Sequence, residues 1–377
     1  MADVPGDFGF SDDHEILRDG ARRFLEERCP IEEIRRLADD PVGHDPGVWK
    51  EMAELGWAGL TIPEAHGGAG LGNLHQALLL EEMGRRLLPS PYLGGALAAL
   101  AIERAGDAAQ QARWLPGIAS GDTLASLGWL EPEGSWEPSD VKATARREGD
   151  TWVLSGTKAH VPCGADAALV VAPFVADGEI ALFAIAGGFQ AEAEVSIDPT
   201  RRTARLQFDG LAVPDDTRLS GGDLATWRTI LLQSAAWLAA EMVGAAEATL
   251  GLTRDYAIDR KQFERQIGSF QAVKHPLVDD MIGIELARNH VYGAAAAFDA
   301  GETEAAETGA RMAKAMASDV LARAVRHGVQ FHGGYGFTLD CDMHFYFKRA
   351  LFCRAMLGDA VHHRRHLAAT LFGDTGA

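Results

Sequence analysis

The segment that decides the fold joins two long apolar stretches. Residues 256–271 read YAIDRKQFERQIGSFQ, a basic cluster with an aromatic residue that then turns through glycine. Arg260 and Phe263 are three positions apart, so we expect both on one side of a final helical turn. A guanidinium beside an aromatic ring suits a diphosphate next to a planar base. The alternative is a solvated basic helix end that complements the helix dipole.

Around this segment the chain is rich in alanine, leucine and methionine, and Pro276 is the only proline after Pro214. Four long stretches with short links cover roughly residues 223–260, 273–300, 303–327 and 342–371. Long helices joined in this way pack most simply as an antiparallel bundle. The sequence therefore predicts a carboxy-terminal four-helix bundle.

The pattern changes twice before this bundle. Residues 11–121 follow helical spacing, starting at Ser11. Between Thr123 and about Pro214, short runs bounded by turn residues predict an antiparallel β unit, a barrel or small sandwich. The predicted fold class is α+β and mostly helical. Its domains are an all-α domain at 1–122, a β domain at 123–216 and the bundle at 217–377.

Composition narrows the possible partners. The net charge of −19 disfavours nucleic acid and anionic membranes. Four cysteines without metal-ligand spacing predict free thiols and no metal site. The first ten residues do not resemble a signal peptide, and we expect no stretch near the ~20 apolar residues that span a bilayer. These observations predict a cytoplasmic protein.

A second segment also suggests ligand binding. Residues 330–338 read QFHGGYGFT, with three glycines within four positions. Glycines let backbone amides approach a ligand closely. A helix end with its connecting loop explains the same residues equally well, and the spacing is not the phosphate fingerprint of a dinucleotide fold.

Three further motifs precede these two segments along the chain. They are GWAGLTIPEAHGG at residues 56–68, LEEMG at 80–84 and GDTWVLSGTK at 149–158. Together with the two segments above, they resemble the acyl-CoA dehydrogenase family over nearly the whole chain.

The resemblance implies an FAD-containing tetramer that catalyses α,β-dehydrogenation of an acyl-CoA substrate. A carboxylate removes the α-proton, the β-hydride passes to the flavin, and an electron-transfer flavoprotein reoxidises it. The residues that match the family's contacts to the ADP end of FAD are Arg260, Gln262, Phe263, Phe270, Gln271, Gln330, Gly333 and Gly334.

The sequence departs from the family where the base is expected. The α-proton of a thioester is weakly acidic, so a positioned base is required. The two positions that supply a glutamate in the family match Leu357 and Ser234 here. Glu241 and Asp359 are nearby acids that could act instead, although a buried polar partner and a helix cap are their structural alternatives.

The flavin-ring motifs differ as well. The chain has Leu130-Glu131-Pro132-Glu133 where the family has Thr-Glu-Pro-Gly, and His160-Val161-Pro162 where it has Trp-Ile-Thr. Proline has no amide proton to donate. The ADP end resembles the family more closely than the ring end does.

These departures favour the base-lacking partner subunit of a heterotetramer that acts on a bulky acyl-CoA, such as a steroid side-chain thioester. One alternative is a self-sufficient homotetramer that uses Glu241 or Asp359 as its base. The others are a flavin-free structural homologue and different flavin chemistry, such as hydroxylation or nitroalkane oxidation.

Overall fold

The computed structural model describes residues 8–373. The chain divides into two compact units. The helical unit contains residues 8–36, 72–88 and 232–373, and the mixed unit contains residues 37–71 and 89–231. The predicted mostly helical α+β class is confirmed, whereas the three predicted domain boundaries stay a prediction.

Helices build most of the chain. Their bounds are α1 Asp12–Arg28, α2 Ile31–Asp39, α3 Pro46–Glu54, α4 Asn73–Arg85, α5 Tyr92–Ala105, α6 Ala108–Ala119, α7 Leu224–Asp259, α8 Gln271–Asp299, α9 Thr303–His332, α10 Met343–Ala355 and α11 Ala360–Phe372. In the helical unit, alanines of α7, α8 and α9 form a close-packed core with Leu232. Small side chains allow these helix backbones to approach each other.

Two glycines set the crossing of α4 and α7. A Cβ atom on Gly84 would lie 2.0 Å from the carbonyl oxygen of Glu241. A Cβ atom on Gly244 would lie 1.8 Å from the carbonyl oxygen of Glu81. Any larger residue would push the helices apart, which explains the glycine that ends the LEEMG motif.

The prediction of one continuous last helix is wrong. The stretch 342–371 forms α10 and α11, separated by a loop at residues 356–359. Leu357 and Gly358 have φ values of 57° and 91°, which an α-helix does not accommodate. Asp359 then begins α11 by accepting a hydrogen bond from the His362 amide at 2.8 Å. The preceding helix, in contrast, continues past its predicted end to His332.

The mixed unit contains a seven-stranded sheet. The strands are β1 Ala125–Leu127, β2 Thr144–Glu148, β3 Thr151–Pro162, β4 Leu169–Ala176, β5 Glu179–Ile185, β6 Gln190–Glu194 and β7 Thr203–Pro214. Their order is β1-β4-β2-β3-β7-β6, and β5 pairs with β4. Phe174 packs edge-to-face on Phe183 and Phe208 in the core.

The pairing is not purely antiparallel as predicted. Strands β1 and β2 both run parallel to β4, whereas the other neighbours are antiparallel. A parallel neighbour needs a crossover rather than a tight turn, so turn signals alone do not reveal it.

Helix α7 corrects another expectation. By length and composition it contains an 18-residue window apolar enough to cross a membrane, contrary to the expectation from the sequence. Within that window, 89% of the residues are buried inside the protein. This burial is what a core helix shows.

Candidate cofactor site and base positions

The predicted final helical turn at Arg260 and Phe263 does not form. Helix α7 ends at Asp259, and two short strands follow, β8 Lys261–Gln262 and β9 Arg265–Gln266. The turn between them holds Phe263 and Glu264 at φ values of 54° and 65°. Two successive left-handed residues make a tight hairpin turn and are incompatible with a helix.

This turn is strained because both left-handed residues carry side chains. Hairpin turns of this type favour asparagine and glycine, and a left-handed L-residue costs about 1–2 kcal/mol. Such strain occurs often at ligand sites. The hairpin presents Phe263 outward with 87% of its surface exposed.

The neighbouring aromatic and basic residues are arranged around Phe270. Its ring packs edge-to-face with Phe263, with the centroids 6.2 Å apart. The Arg265 guanidinium lies 4.0 Å from the Phe270 centroid. Within residues 8–373, no acid lies within ion-pair distance of the exposed Arg260 guanidinium. The hairpin therefore offers an uncompensated cation beside an exposed aromatic ring.

Ring stacking joins the second predicted segment to the first. The rings of Tyr256 and His332 stack with centroids 4.3 Å apart, so the ends of α7 and α9 meet. His332 is buried, and its Nδ1 lies 2.7 Å from the carbonyl oxygen of Gly328. Sequence reasoning missed this Tyr256–His332 pair, because the two residues lie far apart in the chain.

The remaining predicted site residues lie on exposed surface of the helical unit. They are Gln262, Gln271, Gln330, Gly333 and Gly334. A Cβ atom on Gly333 or Gly334 would meet no atom within 4 Å, so the backbone there is open to a ligand. A cation, an exposed aromatic, side-chain amides and open backbone fit the ADP end of FAD.

Neither base position carries an acid. Ser234 lies buried within α7, and Leu357 is buried in the loop that separates α10 from α11. The nearby acids have structural partners. Glu241 forms a buried ion pair with Arg349, which also donates to the Leu87 carbonyl at 3.4 Å. Asp359 is the amino-terminal cap of α11, as described above.

Two buried groups hold the loop around Leu357. The Lys314 amine donates to the Gly358 carbonyl at 2.8 Å, and His363 Nε2 lies 2.9 Å from the Leu357 carbonyl. Burial lowers the pKa of Lys314 to about 8. Burial, with the adjacent Lys314 charge, lowers the pKa of His363 to about 3. His363 is therefore neutral at pH 7, and its Nε2 carries the proton donated to Leu357.

A buried ion pair connects the two motifs of the mixed unit. The Lys158 amine lies 2.6 Å from Glu131, and burial lowers the pKa of this lysine to about 8 although Glu131 opposes the shift. The Glu131 carboxylate also accepts hydrogen bonds from the amides of Lys142 and Ala143, at 2.7 and 3.0 Å. The glutamate that the sequence retains in its Leu-Glu-Pro-Glu motif thus has a structural role.

Comparison with known proteins identifies the family. The model of the acyl-CoA dehydrogenase amino-terminal domain matches residues 11–122, and that of the carboxy-terminal domain matches residues 221–372. The chain belongs to the acyl-CoA dehydrogenase family. Acyl-CoA dehydrogenase IpdE2 of Mycolicibacterium smegmatis is 31% identical over 363 residues, which are 96% of this chain and 100% of that protein.

Two solved structures are similar over nearly the whole chain. The steroid ACAD Tcur3481–Tcur3483 matches with a TM-score of 0.87 and 30% identity, over 95% of this chain and 97% of that chain. The ChsE4–ChsE5 complex from Mycobacterium tuberculosis matches with a TM-score of 0.90 and 27% identity, over 98% and 100%.

Proposed function

We propose that this chain is the base-lacking subunit of a two-subunit, FAD-dependent acyl-CoA dehydrogenase. One observation carries the proposal. Apart from the half-buried Phe270, the residues that match the ADP contacts are exposed and include an uncompensated arginine, whereas both base positions are non-acidic. When bound, FAD supplies the hydride acceptor. The glutamate that removes the α-proton then comes from a homologous partner subunit.

The structural contacts of Glu241 and Asp359 support the proposal that the base comes from the partner subunit. An acid acts as a base only if its carboxylate can reach the α-proton. Glu241 is 1% exposed and ion-paired with Arg349. The Asp359 carboxylate accepts a hydrogen bond from the first turn of α11. Recruiting either acid would break a structural contact.

A partner subunit also accounts for exposed apolar surface on α8. Val278, Met281, Ile282 and Leu286 are half-exposed and lie on one face of that helix. Contiguous apolar surface of this kind is typical of protein interfaces. Two similar structures are themselves named as pairs, Tcur3481–Tcur3483 and ChsE4–ChsE5.

The proposed substrate is a bulky acyl-CoA, such as a steroid side-chain thioester, and the proposed electron acceptor is an electron-transfer flavoprotein. Support for the steroid class is similarity to a protein named a steroid ACAD.

Co-expression tests the proposal. With a homologous, glutamate-bearing subunit, we expect a yellow active tetramer with about one FAD for each pair of chains. Removing the partner's glutamate should cost about 10²–10⁴-fold in turnover, as loss of a general base does. A complex with one FAD in every chain, or normal turnover by this chain alone, would refute the half-site assignment.

A further inference from the structure

Two histidine rings stack where the amino-terminal end of α1 meets α4. The rings of His14 and His75 have centroids 3.7 Å apart and an interplanar angle of 23°. His14 is buried, and His75 is half-buried. Among the described residues 8–373, neither ring has a carboxylate at ion-pair distance. Protonation of both imidazoles would therefore place two positive charges face to face without a direct counterion.

His14 also holds the first turn of α1. Its Nδ1 accepts a hydrogen bond from the Ser11 amide at 3.1 Å and lies 2.8 Å from the Ser11 hydroxyl. This is the N3 position of a capping box, where glutamate or glutamine is the usual acceptor. An imidazole accepts through Nδ1 only while that nitrogen carries no proton. The start of α1 is therefore stabilised by the neutral form of His14, whereas a glutamine at this position would accept at any pH.

The residues before α1 pack on the same histidine and on α8. Phe10 packs edge-to-face on the His14 ring, with centroids 5.6 Å apart, and on the Tyr292 ring of α8, with centroids 5.1 Å apart. Phe8 packs edge-to-face on Tyr292 as well, at 6.1 Å. Residues 8–14 therefore form an amino-terminal strap that aromatic and histidine rings of α4 and α8 hold on the helical unit.

The charged groups that face the two histidines come from α1 and from the end of α8. Burial lowers the pKa of His14 and of His75 below the ordinary 6.5, although the charges of Asp13 and Asp299 oppose the shift. The Arg18 charge adds to the shift of His14, and the His14 charge adds to that of His75. The Asp299 carboxylate already accepts hydrogen bonds from the first two amides of α4, at 2.7 and 3.2 Å. Both rings are therefore neutral at pH 7 and take up protons more readily once the strap leaves.

We propose that the His14–His75 stack is a pH-sensitive latch, which holds the strap while both rings are neutral and releases it when they are protonated. Protonation makes the two rings repel each other, removes the acceptor of the Ser11 amide and puts a positive charge in the first turn of α1, where the helix dipole disfavours it. The docked strap is favoured above pH 6.5 and is destabilised as the pH falls below that value, because the released strap binds protons first. The latch lies outside the predicted cofactor and base positions, so it does not depend on the proposed function.

Hydrogen exchange of the full chain, measured by mass spectrometry, tests the latch. Each proton taken up on release changes the equilibrium by up to about tenfold per pH unit. Amide exchange in residues 8–18, corrected for the intrinsic effect of pH, should therefore accelerate about tenfold or more between about pH 7 and about pH 5.5. No acceleration in these residues would overturn the proposal.

A double variant, His14→Gln with His75→Phe, separates the latch from ordinary packing. Glutamine keeps an acceptor for the Ser11 amide, and phenylalanine keeps a flat ring for stacking, but neither side chain titrates. Exchange in residues 8–18 should match the wild type at about pH 7 and lose most of its acceleration at about pH 5.5. Helix α9 should exchange equally in both proteins at each pH, because the latch concerns only the strap.

The matched control is His290→Gln. Burial also lowers the pKa of this histidine of α8, so its replacement removes a comparable titrating group while leaving the stack intact. The control should keep the wild-type response to pH. If the ring replacement at position 75 itself loosens the strap at about pH 7, the single variant His14→Gln decides by the same comparison. Undiminished acceleration in the variants of the stack, or loss of acceleration in His290→Gln, would show that the stack is not the latch.

Discussion

The hairpin at residues 261–266 of the helical unit and segment 160–162 of the mixed unit differ in whether their polar groups have partners within the protein. On the hairpin, Arg260 has no acid within ion-pair distance among residues 8–373, and Phe263 extends into solvent. In the segment, His160 is tied to Glu194 and the Pro162 carbonyl to Ser126. The comparison indicates that the hairpin leaves its cation and its aromatic ring available to a ligand, whereas the segment satisfies most of its polar groups within the mixed unit.

The largest expected effect concerns the isolated chain. Its acyl-CoA dehydrogenase turnover should be about 10²–10⁴-fold below that of an assembly that has the base. Dye reduction with straight-chain and bulky acyl-CoA substrates measures this. Leu357→Glu alone should not restore turnover, because the flavin-ring motifs at residues 130–133 and 160–162 also differ from those of the family. Restored turnover in that variant would show that this chain lacks only the base.

The second-largest effect is expected on stability, at the Glu241–Arg349 ion pair. Arg349→Met should lower the free energy of unfolding by about 3–5 kcal/mol, because it leaves a buried carboxylate without its cation. Glu241→Leu combined with Arg349→Met should recover most of that loss. Urea denaturation measures both variants. If Arg349→Met has no effect, then Glu241 is not held as a structural partner and returns as a candidate base.

A substitution of Arg260 tests the predicted diphosphate contact at the hairpin. Arg260→Ala should weaken ADP and FAD binding by about 1.5–3 kcal/mol, the contribution of a hydrogen bond to a charged group. Arg254→Ala is the matched control, since Arg254 is exposed near the end of α7 but paired with Asp255 at 2.7 Å. Equal effects of both substitutions would indicate general electrostatics rather than a diphosphate contact.

His363 gives a smaller, pH-dependent effect at the loop that holds Leu357. Its folded pKa of about 3 lies below the ordinary value of 6.5, so the unfolded chain takes up the proton first. The contribution of His363 to stability is therefore complete above pH 6.5 and is lost as the pH falls toward 3. Between pH 6.5 and 5 the slope should approach about 1.4 kcal/mol per pH unit.

The control for this prediction is His363→Gln, which keeps a side-chain donor for the Leu357 carbonyl but does not titrate. Urea midpoints at several pH values measure the difference between the two proteins. A difference that does not change with pH would mean that His363 is not buried as a neutral ring.

The smallest effect concerns hairpin strain. Glu264→Gly should stabilise the protein by about 0.5–1 kcal/mol, because glycine adopts a φ of 65° without a Cβ penalty. Affinity for ADP should not change, since Glu264 is not among the predicted contacts. Thermal unfolding and calorimetry check the two parts. Destabilisation would show that the Glu264 side chain has a role that its backbone conformation does not reveal.

Local signals in the sequence predicted much of the fold. The helices at 224–259 and 271–299 lie close to their expected bounds of 223–260 and 273–300. The hairpin at 261–266 was not predicted, because its turn carries phenylalanine and glutamate where glycine or asparagine would indicate a turn. The loop at 356–359 was missed because the helical pattern resumes directly after Gly358.

The sequence by itself determined the family, the mostly helical class and the absence of acid at Ser234 and Leu357, because residue identity and local spacing are sufficient for these. Tertiary structure alone decided which side chains were already engaged. Glu241 meets Arg349, and Asp299 accepts hydrogen bonds from the first amides of α4 at 2.7 and 3.2 Å. Such partners are distant in the chain, so neither periodicity nor turn chemistry encodes them. Whether a carboxylate or an imidazole is available to a ligand depends on those distant partners, and so only folding reveals it.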